Sequence, residues 1–265
     1  MDDQKTLLKQ VFGESSDSED DDEQQQRIED SVSGDGSHLT IDHNPIWEPI
    51  KEINGLWLCR DFLSPQQQSS LLSDIQNEGW FTVASNNQCS LQAMRFGDLP
   101  SWAIELSNSI REVVLFGDQI CKSADSVSCE GDKGTCIIPT NLLWREPLFD
   151  QLIVNVYQPG EGICAHVDLM RFEDGIAIVS LESSCVMHFT QVGEDCENGK
   201  GENDQPMPRV PVHLTRGSVV LLWGDARYLW KHEINRKPGF QMWEGKELNQ
   251  KRRTSITLRK LCCVE

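Results

Sequence analysis

The sequence predicts an α+β chain whose folded part is a double-stranded β-helix (jelly roll) of about eight strands braced by N-terminal helices. Three observations point there. Helical periodicity is confined to residues before 120 and short strand-like runs cluster after 150, so helices and strands are segregated rather than alternating. The late runs alternate polar and apolar residues, as half-buried strands do. A length of 265 residues with 38% hydrophobic content and eight tryptophans suffices for one sizeable core but not comfortably for two.

Residues 1–45 read as a disordered acidic tail, and 46–265 as the single folded domain. The run from Glu14 to Gln26 packs like charges together with no apolar periodicity, which leaves nothing to offset ordering entropy. Leu7, Leu8, Val11 and Phe12 recur there at helical spacing, either a transient turn or a short helix for a protein partner. Ser15, Ser16 and Ser18 suit an acid-directed kinase, or the run serves solubility alone. Beyond the tail, Gly55–Cys59 reads as a short strand. Ser64-Pro65 opens a helix to about Asn77, with serine as N-cap and proline at the first helical position. Asp98-Leu99-Pro100 precedes a second helix from Trp102 to about Leu115, striped by Ile104, Leu106, Ile110, Val113 and Val114. Strands are expected at 151–157, 164–169, 176–181, 185–190, 209–214, 218–223, 226–232 and 253–259, with exposed loops at Gly193–Met207 and Asn235–Gln250.

Within this frame the polar residues are informative. His166 and Asp168 are two apart, so an extended strand projects both to one face. A third ligand must come from elsewhere, and His232 follows the short aromatic run Arg227-Tyr228-Leu229-Trp230. Two imidazoles and a carboxylate leave the opposite positions of a metal open, the arrangement of non-haem Fe(II) oxygenases. Arg253 to Arg259 alternates strictly: Arg253, Ser255, Thr257 and Arg259 share one face, and Thr254, Ile256 and Leu258 the other. Two guanidinium groups aimed at an interior are costly unless an anion meets them, and a carboxylate matches their planar fork. Asn155 and Tyr157 fall on one face of their own strand and can donate to the same anion.

His166-x-Asp168, the distant His232, Asn155-x-Tyr157 and Arg253-x-Ser255-x-x-x-Arg259 together resemble the AlkB family of Fe(II)- and 2-oxoglutarate-dependent dioxygenases. Pro159-Gly160-Glu161-Gly162-Ile163 and Gly224 to His232 are similar to the branch that includes the eukaryotic tRNA wobble-uridine hydroxylase, though many family members carry asparagine where this chain has Ser255. The resemblance covers roughly residues 50 to 262. It implies iron on His166, Asp168 and His232, and the distal carboxylate of 2-oxoglutarate on Arg253 helped by Tyr157. Asn155, Ser255 and Arg259 would lie nearer the metal. It also implies O₂ as co-substrate and oxidation of a modified nucleobase, with RNA (tRNA or mRNA) favoured over DNA. Hydroxylation of an N-methyl carbon would end in demethylation; an unactivated carbon would keep its hydroxyl. Three segments are candidates to touch the substrate. One holds Arg95, Phe96 and Trp102, whose aromatics either stack on a base or pack the helix onto the sheet; the others hold Arg171, and Arg227 with Tyr228.

Charge and cysteines bound the reading. Of the formal charge of −18, −10 falls in residues 1–45 and −8 in the remainder. That balance disfavours a generic phosphate-backbone binder, unless a local patch such as Lys251-Arg252 with Lys260 suffices. It leaves two alternatives standing: an oxygenase of protein side chains, and a non-catalytic interaction protein. The ten cysteines form no C-x-x-C, so most read as small buried hydrophobes; Cys262-Cys263 is a candidate for structural zinc. His188 and His213 lack a carboxylate two residues away and read as structural. With no apolar leader or spanning run, the expectation is a monomer of the cytoplasm or nucleus, without membrane contact.

Overall fold

In the computed structural model, two antiparallel sheets face one another, and helices pack on the outer face of the larger. The structure describes residues 45–81, 92–124, 136–193 and 209–262, all within one compact unit. The acidic tail expected over residues 1–45 lies outside them, Pro45 apart. The larger sheet has the order β1 (Trp47–Pro49), β2 (Leu56–Cys59), β9 (Val219–Leu222), β6 (Ile176–Leu181), β13 (Arg253–Arg259), β4 (Gln151–Tyr157), β3 (Gln92–Phe96). The smaller runs β5 (Ile163–His166), β10 (Trp230–Ile234), β7 (Cys185–Gln191), β8 (Arg209–Leu214), and a hairpin of β11 (Met242–Trp243) and β12 (Lys246–Glu247) stands apart. This is the expected jelly roll.

The helices are α1 (Pro65–Asn77), α2 (Ser101–Ala124) and the single turns α3 (Thr140–Leu143) and α4 (Asp225–Tyr228). At the start of α1 the Gln67 backbone N–H donates to Ser64 Oγ at 3.3 Å and the Ser64 N–H to Gln67 Oε1 at 2.8 Å, so two otherwise orphaned donors are satisfied reciprocally. α2 runs past the expected end near Leu115. Gly117 there is a contact residue, not a stop: a Cβ would stand 2.6 Å from both Ile137 Cδ1 and Trp47 Cδ1, so the helix packs against β1 through bare backbone. No helix among the described residues is long and apolar enough to cross a membrane.

Period-two alternation sorts the larger sheet into two cores. Leu152, Val154, Ile256 and Leu258 turn to the helices and pack with Leu106, Ile110 and Val114. Ile176, Ile178, Val220 and Leu222 turn the other way, against Met187, Phe189, Val212 and Leu214 of the smaller sheet. The polar sets of β4 and β13 lie on the face opposite the helices, so they point between the sheets.

The eight expected strands are β4 to β10 and β13, with two revisions. β5 ends at His166, which leaves Asp168 in the following turn. Residues 226–228 are helical rather than extended, because Gly224 adopts a φ of 53° and its carbonyl accepts from both Arg227 and Tyr228 at 3.0 Å. β1 and β3 were not expected; both are edge strands. Asn235–Gln250 is less exposed than its composition suggests. Gln241 is fully buried, its Oε1 accepting from Val186 N at 2.8 Å and its Nε2 donating to Val186 O and Asn235 O at 2.9 Å each. That amide completes β7 beyond the end of its pairing with β10. The other expected loop lies outside the described residues, Gly193 apart.

Candidate metal centre and anion pocket

His166 and His232 meet because β5 and β10 are antiparallel neighbours with these two residues directly paired. Their rings lie 4.3 Å apart between centroids. Asp168 turns back toward them, with Oδ2 3.7 Å from His232 Nε2. One ligand atom from each of the three falls within 4.8 Å of the others, a grouping fit to share one ion. His166 Nδ1 lies 2.8 Å from the Cys164 carbonyl, a partner that needs an N–H, so Nε2 keeps the lone pair.

The protonation states suit a metal. Burial would raise the Asp168 carboxyl, but Arg259, His232, His166 and Arg227 outweigh it and hold the pKa at about 2. Burial, then the neighbouring His166, lowers His232 to about 3 against the pull of Asp168. An anionic carboxylate beside a neutral imidazole is the form that binds a cation. Imidazole and carboxylate suit ferrous iron, and three ligands on one side leave coordination positions open.

Arg259 connects this centre to the larger sheet: its Nη2 stands 2.5 Å from Asp168 Oδ1. At the other end of the same strand Arg253 is 1% exposed, yet no carboxylate pairs with it among the described residues. Its Nη2 donates to Ser180 Oγ at 2.8 Å and its Nε has no partner. Tyr157 sits opposite Arg253 in the β4–β13 register, its ring 5.6 Å from the guanidinium, and burial keeps its hydroxyl protonated and able to donate. An orphaned arginine nitrogen beside a tyrosine hydroxyl fits a carboxylate guest. Asn155 faces Ser255 across the strands and accepts from Gln92 Nε2 at 2.7 Å. Ser255 Oγ is 3.5 Å from Arg253, so it belongs to that arginine's end rather than the metal's. Ser180 went unnoticed in the sequence; its signal is the register, which sets it opposite Ser255.

The substrate candidates divide. Phe96 is 46% exposed on the same face as Gln151 and Arg259, and Arg171 lies over it at 5.2 Å. Arg171 also covers Phe172 at 5.3 Å, and Arg259 approaches the same ring at 4.8 Å, so a stack leads from the surface to the metal ligands. Tyr228 is half-buried beside Arg227. Three candidates do not belong on a rim. Arg95 pairs opposite Leu152 on the helix-facing side and lies over Trp80. Trp102 is buried in the helix-side core and donates to Glu78 Oε1 at 2.9 Å. Arg227 is 1% exposed, with Nη1 and Nη2 donating to the carbonyls of Asp168, Leu169 and Phe172. It clamps the turn that aims Asp168, because those carbonyls need a buried donor fork. Of the candidate zinc pair, Cys262 is exposed with its thiol 3.5 Å from the Met170 carbonyl, and Cys263 lies outside the described residues.

Comparison with known proteins agrees with this chemistry. Residues 55–259 match the family model described as the 2OG-Fe(II) oxygenase superfamily. An uncharacterized protein, L905, of Acanthamoeba polyphaga mimivirus is 26% identical over 211 residues, 79% of this chain and 86% of that protein. The Xenopus tropicalis tRNA (carboxymethyluridine(34)-5-O)-methyltransferase alkbh8 is 30% identical over 181 residues, 68% of this chain but 25% of that protein. The Arabidopsis thaliana alkylated DNA repair protein ALKBH8 homolog is 26% identical over 227 residues, 79% of this chain and 59% of that one. This chain thus spans about a quarter of the length of the frog relative. Among solved structures, OsALKBH1 superposes with a TM-score of 0.52 at 16% identity, covering 78% of this chain and 97% of that chain, a likeness of fold.

Proposed function

This chain belongs to the 2OG-Fe(II) oxygenase superfamily, and from that premise we propose that it hydroxylates or oxidatively demethylates a modified nucleobase, in RNA rather than DNA. When bound, ferrous iron with 2-oxoglutarate and O₂ supplies the oxidising power: one oxygen atom enters a C–H bond of the substrate, the other enters succinate, and CO₂ leaves. His166, Asp168 and His232 would hold the iron. Arg253 and Tyr157 would hold the distal carboxylate, Ser255 would steady Arg253, and Asn155 would add a donor from β4. Arg259 positions the Asp168 carboxylate and keeps it charged. Water is kept from His232 and Asp168, which are 5% and 4% exposed, so the Asp168 charge acts at low dielectric.

The observation that carries the oxygenase chemistry is the convergence of a His-Asp-His group with a buried arginine that has no carboxylate partner among the described residues. Support for an RNA substrate comes from the frog relative named for tRNA modification and from Phe96 under Arg171 at the rim, a surface suited to stacking an unpaired base. The test is nucleoside mass spectrometry of tRNA and mRNA incubated with the iron-loaded protein, with and without 2-oxoglutarate. Loss of a methyl mark or gain of one oxygen that requires 2-oxoglutarate supports the reading. Turnover of methylated peptides with none on RNA would favour a protein substrate, a reading that the −8 charge of residues 46–265 also suits.

A further inference from the structure

Four residues past His232, Arg236 has no role in the site as derived so far. It is 7% exposed, and none of its three guanidinium nitrogens has a hydrogen-bond partner among the described residues. Its backbone is held from two sides. Gln250 Nε2 donates to the Arg236 carbonyl at 3.1 Å while Gln250 Oε1 accepts from Gly160 N at 3.2 Å. Gly162 packs so closely on this segment that a Cβ would collide with the Ile234 carbonyl and stand 3.2 Å from Arg236 Cγ. Burial lowers the pKa of the guanidinium, Cys185 and Tyr157 oppose that and Arg253 adds to it; among the described residues no carboxylate bonds to it. Cys185 lies in the core between the sheets, and Arg253 and Tyr157 line the anion pocket.

A buried guanidinium without a hydrogen-bond partner among the described residues, and within electrostatic reach of Arg253, is a costly arrangement for the empty protein. It becomes favourable when one anion lies between the two cations, because a carboxylate has two oxygens and can accept from both. We infer that Arg236 is a second guanidinium of the co-substrate pocket, sharing with Arg253 and Tyr157 the distal carboxylate of 2-oxoglutarate. The inference rests on the oxygenase reading above. It makes the pocket selective for dicarboxylates over 2-oxo acids with a single carboxylate. It also gives succinate, which keeps the distal carboxylate, the same anchor as the co-substrate.

The test uses the full chain stripped of metal with chelator, titrated with succinate by calorimetry and followed by thermal melting, with 2-oxobutyrate as the monocarboxylate control. The wild-type chain binds succinate and is stabilised by it; 2-oxobutyrate does neither at equal concentration. Arg236→Gln binds succinate roughly tenfold or more weakly, since a charge-assisted pair is lost. With no dicarboxylate present, the same variant melts above wild type, because the repulsion has been removed. Arg236→Lys keeps a cation without the planar fork and falls between the two, which decides the matter if the glutamine variant does not fold. An Arg236→Gln protein that melts lower than wild type with and without succinate, at unchanged affinity, would overturn the inference. So would an unchanged affinity in Arg236→Lys where Arg236→Gln cannot be made. If Arg253→Gln abolishes succinate binding and Arg236→Gln does not alter it, this inference fails and the oxygenase pocket stands. If the wild-type chain binds neither succinate nor, with metal restored, 2-oxoglutarate, both fail.

Discussion

Asp168 is pressed by burial toward the neutral acid and by four cationic or imidazole neighbours toward the anion, and the neighbours win. That balance makes it the most sensitive ligand. Asp168→Ala removes a metal bond and leaves the buried Arg259 guanidinium without its carboxylate. The expected result is loss of iron after desalting, read by elemental analysis, together with a stability loss of roughly 3 to 5 kcal/mol for a broken buried pair. Arg253→Ala has a different signature. It removes the carboxylate anchor at a cost of roughly 2 to 4 kcal/mol and raises the apparent 2-oxoglutarate requirement on the order of 30-fold or more. Iron retention should be unchanged, and equal co-substrate dependence in the variant would count against the pocket. At this scale the sequence was readable where spacing within one strand did the work, as for Arg253 with Arg259; His166 and Asp168 were paired correctly although Asp168 lies in the turn after the strand. It was not readable for Arg227 and Arg236. Their placement depends on a turn and a strand end, where no two-residue or four-residue period says which way a side chain points.

The strands were legible because alternation survives in the sequence even where both faces are buried, as in β13. The lapses fall where local pattern and tertiary demand part company. Residues 226–228 have strand-like composition, yet the carbonyls of the 168–172 turn need the Arg227 fork, and a helical turn from Gly224 delivers it. β3 carries too little apolar periodicity to announce a strand; pairing with β4 supplies its order. Gly162 offers a test at this scale. Gly162→Ala forces the turn before β5 away from Ile234, at a cost of about 1 to 3 kcal/mol for overpacking, seen as a lower melting temperature with weakened 2-oxoglutarate binding. The outer side of the smaller sheet carries a second test. His188 lies 6.2 Å from Phe240 and His213 5.1 Å from Trp243, under the 235–250 strap. Burial, then Arg209, lowers the pKa of His188 against Glu233; burial, then Arg60, lowers that of His213 against Glu244. On acidification the unfolded chain therefore takes up protons first. Stability is full above the unfolded value of about 6.5 and declines as the pH falls from there toward the folded values. A His188→Gln, His213→Gln double variant should flatten the melting-temperature profile across that window; an unaltered slope would remove these histidines as its source.

For the whole molecule, neither apolar cluster includes a candidate metal ligand. Chelation should therefore abolish turnover while leaving the far-ultraviolet circular dichroism of the native chain, and a cooperative melt should persist. Adding ferrous iron and 2-oxoglutarate without O₂ should raise the melting temperature, as ligands of the native state must. Unfolding on chelation alone would show that the sheets depend on the metal for their packing. The jelly roll was foreseeable because two helices followed by eight short strands leave few ways to bury one core. The link from its larger sheet to the metal ligands was not, because it runs from Arg259 to Asp168, which lies in the turn after β5. That contact lies at the end of β13, a central strand paired on both flanks by β4 and β6. Sliding this strand by one residue against its neighbours would turn all four polar side chains toward the helices together, and pairing on both flanks opposes the slip. Redesign of what this protein accepts has therefore to leave that segment at fixed length and vary instead the side chains of Phe96 and Arg171 by substitution, because Phe96 is itself paired with Gln151.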